Sequence, residues 1–149
     1  MTRVFFEDME VGRVEEFGSY EMTEREIVEF AEQYDPQWFH VDPERAEAQS
    51  PYGELIASGW HTASATMRML VDEHFSEAMS LGARGLDRLR WVKPVRAGDT
   101  LSLRTEVLDR EVDGPDRGTV TVETETRRDD GEVVMTMVSL VMYARRGEE

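Results

Sequence analysis

Cysteine is absent from this chain of 149 residues. Disulfides, thiolate nucleophiles and cysteine-built zinc sites are excluded with it. Lysine is nearly absent: Lys93 stands alone, and every other basic residue is Arg. Basic charge is scarce altogether, with 17 Lys and Arg against 32 Asp and Glu and a formal net charge of −15. Nucleic acid and anionic membranes repel a surface of that sign, so neither is expected as a partner. No apolar run approaches the roughly 20 residues of a membrane-spanning helix. The N-terminal stretch lacks the basic-then-apolar pattern of a secretion signal, so a cytoplasmic location is expected. The histidines are His40, His61 and His74, and their spacing is not that of a metal site. No metal is expected.

What is present suits a folded domain. A hydrophobic content of 40% and this length support one domain over residues 1–149 with a real core. Val14, Phe17 and Tyr20 mark a first strand. Thr23-Glu24-Arg25-Glu26 is a capping box, and Met22 and Ile27 flank it as a hydrophobic staple. Ile27, Phe30, Ala31 and Tyr34 follow at helical spacing, which predicts one inward face. Pro36 disfavours helix at Asp35, so the helix ends there. Asp42-Pro43 reads as the cap and first position of a short helix. Residues 49–53 form a loop, either a flap over a site or a connector.

A long helix is predicted from Gly59 to about His74, with Trp60, Ala63, Met67, Leu70, Val71 and His74 as its core stripe. Strands follow over 85–93, 100–110, 118–127 and 132–144, with turns at 94–99 and 113–116 and a hairpin signal at Asp130-Gly131. The last strand is apolar on both faces, as at a sheet centre or a dimer seam. Residues 145–149 read as a loose tail. Helices early and strands late predict an α+β fold with an antiparallel sheet.

The stretch 34–61, YDPQWFHVDPERAEAQSPYGELIASGWH, carries the chemistry. Asp35 and His40 lie five residues apart, and an acid and an imidazole that share one water make a general acid/base pair. Gly59 opens the long helix, where backbone N–H groups lack intrahelical acceptors and can receive charge developing on a carbonyl oxygen. Simpler readings stand beside this one. Asp35-Pro36 can be only a turn, His40 can be a core or interface histidine, and His61 is either structural or a substrate contact.

FAEQYDPQWFHVDPERA followed by GELIASGWHTAS resembles the MaoC-like acyl dehydratases, which include the R-specific enoyl-CoA hydratases. FEDMEVGR, TEREIVEFA and LRWVKPVRAGDTL extend the resemblance over most of the chain. It implies a hot-dog fold, an antiparallel sheet wrapped around a long central helix, usually as a homodimer. It also implies Asp35 and His40 as the catalytic pair and Gly59 N–H as the contact to a thioester oxygen. Gln37 stands where the family often has Asn, and Trp38 where it often has Pro.

The implied reaction is reversible hydration of a 2-enoyl-CoA to a 3-hydroxyacyl-CoA of R configuration. The partner is a coenzyme A or acyl carrier protein thioester, and no cofactor is expected beyond the coenzyme A of the substrate. Ser58 is expected to cap the helix or orient a catalytic group. Trp38 and Phe39 offer bulk near the substrate, as do Trp60 and Trp91. Arg84, Arg88, Arg90, Lys93 and Arg96 form either an anion-binding patch, with Arg88 and Arg90 at its centre, or a solvated strand face. Two alternatives remain open: a hot-dog thioesterase, which would need a carboxylate near the central helix, and a non-catalytic acyl-CoA-binding partner subunit.

Overall fold

The structure is a computed structural model and describes residues 3–147. A 3-10 turn at Phe6–Asp8 precedes strand β1 (Val14–Glu21). Helices α1 (Glu24–Tyr34), α2 (Trp38–Val41), α3 (Pro43–Gln49) and α4 (Gly59–Glu73) come next. After a 3-10 turn at Phe75–Glu77 come β2 (Ser80–Trp91), β3 (Thr100–Val112), β4 (Arg117–Arg127) and β5 (Val133–Ala144). The five strands form one antiparallel sheet in the order β1-β3-β4-β5-β2. This is the expected α+β arrangement, with α4 packed against β1 and β3.

Strand β1 is irregular where it meets α4. The β1–β3 register breaks between Phe17 and Tyr20, and Gly18 within the break has φ +94°. A Cβ on Gly18 would sit 2.7 Å from the Met69 sulfur of α4. Only glycine fits both that backbone and that approach.

Helix α1 starts as its sequence dictates, in part. The Thr23 hydroxyl accepts from Glu26 N–H at 3.2 Å, and Met22 and Ile27 are fully buried. The return half of the capping box does not form. The Glu26 carboxylate accepts from the Tyr20 hydroxyl instead and faces His61. A half-buried phenol competes better for it than an exposed backbone N–H that water also serves. Tyr34 does not face inward; it is 66% exposed, with its ring against Phe30 at 5.1 Å. Ile27 and Ala31 carry the burial of this helix.

The face of α4 that enters the core is not the apolar stripe. His61, Thr62, Ala65, Thr66, Met69 and Leu70 are buried, while Trp60, Met67 and Val71 are 58%, 48% and 40% exposed. Small and hydroxylated side chains let the helix lie close to the sheet. Thr66 Oγ1 donates to Thr62 O at 2.8 Å and lies 2.7 Å from Thr126 Oγ1 on β4, so its buried hydroxyl is satisfied. From the stripe, Leu70 and the C-cap His74 do reach the interior.

The last strand, β5, lies between β4 and β2 rather than at the centre, and its faces differ. Met135, Met137, Val141 and Tyr143 are buried; Val138, Leu140 and Met142 are half-buried. The chain beyond β5 is tied down, contrary to expectation. Arg145 Nε reaches Glu7 Oε2 at 3.4 Å, and an Arg146 guanidinium nitrogen reaches Asp8 Oδ2 at 2.6 Å. Glu148 and Glu149 of the expected tail lie outside the described residues.

Candidate active site

Pro36 ends α1 at Tyr34, and Asp35 becomes its C-cap, donating N–H to Ala31 O at 2.8 Å. Gln37 then caps the single turn α2, and His40 N–H donates to Gln37 O at 2.9 Å. Two helix ends separated by a tight turn thus bring the acid and the imidazole together. His40 Nε2 lies 3.3 Å from Asp35 Oδ2.

The other ring nitrogen fixes the tautomer. His40 Nδ1 lies 2.7 Å from the Ile56 carbonyl, which can only accept. Nδ1 therefore carries the proton, and in the neutral ring Nε2 presents its lone pair. Ile56 is itself held on both sides, by its N–H to Phe39 O (3.2 Å) and by the bridge to Arg96.

Burial alone would raise the Asp35 pKa. Hydrogen bonding from the Gln37 amide and the Ser58 hydroxyl, with the charge of His40, outweighs it and holds the carboxyl below the usual Asp value. Gln37 Nε2 donates to Asp35 Oδ1 at 2.7 Å.

Ser58 is fully buried and also caps α4, its Oγ accepting from Trp60 N–H at 3.3 Å. Of the two roles expected of it, the helix cap is the one the geometry shows. Gly59 is the first residue of α4, so its N–H has no intrahelical acceptor. Its carbonyl accepts from the Trp91 indole N–H at 2.8 Å. A Cβ on Gly59 would lie 2.5 Å from Trp91 Cε2. Trp91 on β2 therefore packs flush on the helix start and requires glycine there.

These groups open into a cleft of about 450 Å³, lined by Asp35, Phe39, His40, Gly59, Trp60 and Trp91 among others. Tyr52 brings the 49–53 loop into its wall, and Lys93 is its basic residue. Trp60 and Trp91 meet edge to face at 5.1 Å within it.

Of the expected site residues, Asp35, His40, Gly59 and Phe39 line the cleft, and Ser58 is the N-cap of α4 immediately before Gly59. Trp38, Arg88 and Arg90 are not among its lining residues. Trp38 packs under the Arg45 guanidinium at 4.4 Å. Leu89 is half-buried against the core and Trp91 lines the cleft, so strand alternation leaves Arg88 and Arg90 exposed.

Within the basic segment, Arg84 pairs with Asp113 at 3.4 Å, Lys93 with Glu132 at 2.8 Å and Arg96 with Asp99 at 3.6 Å, while Arg88 and Arg90 are exposed and stand in no ion pair among the described residues. Two contributors carried no signal in the residue pattern. The Gln37 amide had registered only as a family variant, and the Ile56 carbonyl belongs to the backbone.

The sheet, the long helix and the placement of this cleft define a hot-dog protein. The solved MaoC-like dehydratase from Rhodospirillum rubrum superposes with a TM-score of 0.86 at 37% identity, covering 97% of this chain and 99% of that one. The (R)-hydratase from A. caviae superposes with a TM-score of 0.72 at 25% identity, covering 89% and 95%. The 3-hydroxyacyl-thioester dehydratase Z of Mycobacterium tuberculosis is 37% identical over 79 residues, 52% of this chain and 52% of that protein. This chain thus aligns with about half the length of that relative. Residues 8–128 match the family model of the MaoC like domain, and the chain belongs to that family.

Proposed function

We propose that this protein is a hydro-lyase that reversibly hydrates a 2-enoyl thioester, carried on coenzyme A or an acyl carrier protein, to the (R)-3-hydroxyacyl thioester. The observation that carries this reading is the locked tautomer of His40 facing an ionised Asp35 at 3.3 Å. Both facing atoms are hydrogen-bond acceptors. A water beside them donates one O–H to each and points its oxygen lone pair outward, which is the geometry of a nucleophile under general-base control.

In the hydration direction the water oxygen bonds to C3 while the Asp35–His40 pair removes one proton. The C2–C3 π electrons move toward the carbonyl, giving an enolate-like thioester. The pair then returns a proton to C2. In dehydration each step reverses. The Gly59 N–H at the start of α4 accommodates the negative charge on the thioester oxygen, aided by the positive end of the helix dipole. This chemistry needs no metal and no redox cofactor. Phe39, Trp60 and Trp91 line the cleft with aromatic bulk, which favours a short or branched acyl tail.

The thioesterase alternative needs a carboxylate near the central helix that faces the cleft. Those on α4, Asp72 and Glu73, are at its far end, with Asp72 engaged by Arg68 at 2.9 Å, and Glu26, 3.5 Å from His61, is not among the cleft's lining residues. The test of the stereochemical claim is chiral chromatography of the product from crotonyl-CoA. The R isomer is expected; the S isomer contradicts it.

The active form we propose is a homodimer. The exposed α4 stripe and the edge strand β2, with Leu81 and Leu86 about half exposed, flank an apolar cavity of about 430 Å³ lined by Met67, Val71, Phe75 and Leu86. An apolar face beside an open strand edge is the surface a second chain covers.

A further inference from the structure

Glu26 is left over from the capping box, and it leads to a second polar cluster apart from the cleft. Its carboxylate accepts from the Tyr20 hydroxyl at the end of β1, and His61 Nε2 of α4 lies 3.5 Å away. His61 is buried, and its ring stacks on Phe30 of α1 at 4.7 Å with 8° between the planes. One carboxylate thus gathers β1, α1 and the first turn of α4.

The ring's chemistry is constrained. Glu26 can only accept when ionised, so Nε2 is the N–H of His61. Nδ1 is then a buried acceptor, and it has no partner among the described residues. Burial pushes the His61 pKa down, with Glu26 opposing, which keeps the imidazole neutral. A core position needs only an apolar side chain of this size. A histidine with one unserved nitrogen is a costly choice unless its other nitrogen does something.

Asp35 caps the last turn of α1, and Ser58 and Gly59 begin α4. Where Asp35 stands relative to Ser58 and the Gly59 N–H therefore depends on how α1 and α4 sit against each other. We propose that His61 is a positioning residue. Through its bond to Glu26 and its stack on Phe30 it sets the spacing of α1 and α4, and so aligns Asp35 with Ser58, His40 and the Gly59 N–H. The proposal rests on Asp35 as the working carboxylate of the reaction above.

The experiment uses His61→Phe, which keeps the stack and loses the N–H, His61→Gln, which keeps an N–H donor, and Glu26→Ala. Two quantities are read in each: the Asp35 carboxyl pKa by carbon-13 NMR titration, and kcat and KM with crotonyl-CoA. In His61→Phe and Glu26→Ala the Asp35 pKa rises toward its ordinary value and kcat falls about tenfold or more at unchanged KM. His61→Gln restores both. An unchanged Asp35 titration and unchanged kcat in folded His61→Phe overturn the proposal, whatever happens to its Tm. If that variant does not fold, Glu26→Ala decides in the same way, since Glu26 is partly exposed. Should the wild type fail to turn over any enoyl-CoA, the hydratase reading fails by itself. The NMR titration then still decides whether His61 sets the Asp35 environment.

Discussion

His40 faces Asp35 across 3.3 Å while its Nδ1 is committed to the Ile56 carbonyl at 2.7 Å. A backbone carbonyl cannot take up or release a proton at neutral pH, so all the proton chemistry of the ring is directed through Nε2. A histidine held only for packing gains nothing from ending against a carboxylate in an open cleft. One held for proton transfer needs that arrangement.

Removing either member of the pair is expected to silence the reaction without unfolding the protein. Asp35→Asn keeps the shape and an acceptor oxygen; His40→Gln keeps a donor toward Ile56. Each variant should lose about a hundredfold to ten-thousandfold in kcat/KM, the usual weight of a general acid/base. Steady-state kinetics alongside circular dichroism checks this. Full activity in either folded variant contradicts the assignment.

Ser58→Ala carries a pH signature. Asp35 titrates below its ordinary value of 3.8, so its ionised form contributes stability that is fully present above the unfolded pKa and is lost as pH falls through the lower folded pKa. Ser58→Ala moves the folded pKa up and costs about 1 kcal/mol at neutral pH. The gap between wild type and variant should shrink once pH drops below about 4. Chemical denaturation across a pH series measures it, and a gap independent of pH argues against the Ser58–Asp35 contact.

Gly59→Ala is expected to fail through Trp91. The new Cβ would stand 2.5 Å from Trp91 Cε2 and 2.7 Å from Nε1, so the indole must leave and its bond to Gly59 O must break. Overpacking of this kind costs about 1–3 kcal/mol. Adding Trp91→Ala should recover part of the stability, giving a non-additive double-mutant cycle. Additive effects in that cycle would show that the contact does not matter.

The proposed dimer is tested at its apolar face. Met67→Glu and Leu86→Asp place charge on the exposed stripe of α4 and on the edge strand β2, where neither touches the Asp35–His40 pair. Light scattering coupled to gel filtration should give a dimer for wild type and a monomer for the double variant. A monomeric wild type at micromolar concentration refutes the proposal.

Much of the fold was legible because local signals agreed. Thr23 and Asp42 announced helix starts, Pro36 fixed the end of α1 at the proposed acid, and the strand expected over 100–110 is β3. The helix α4 shows where that legibility stops. Periodicity ranks faces by apolar content, yet here the richer stripe points outward and Thr62 and Thr66 enter the core, the Thr66 hydroxyl met by Thr62 O and Thr126 Oγ1. Only tertiary partners distant in sequence reveal such a face. The same limit applies at the site. Asp35, His40 and Gly59 stood out by residue type, whereas the Ile56 carbonyl has no side-chain signal. Glu26 was claimed by a local motif that lost to Tyr20 and His61. The Arg84–Arg96 run looked basic in sequence because Asp113 and Glu132, which neutralise Arg84 and Lys93, arrive from other turns.

The most direct measurement is the ultraviolet absorbance of the enoyl thioester on mixing purified protein with crotonyl-CoA and longer 2-enoyl-CoAs, with Asp35→Asn beside it. Hydration at the Asp35–His40 pair predicts rapid loss of absorbance with wild type, fastest for short chains, and none with Asp35→Asn. Equal rates in the two proteins, or no loss with any enoyl-CoA, would contradict a hydratase acting through Asp35.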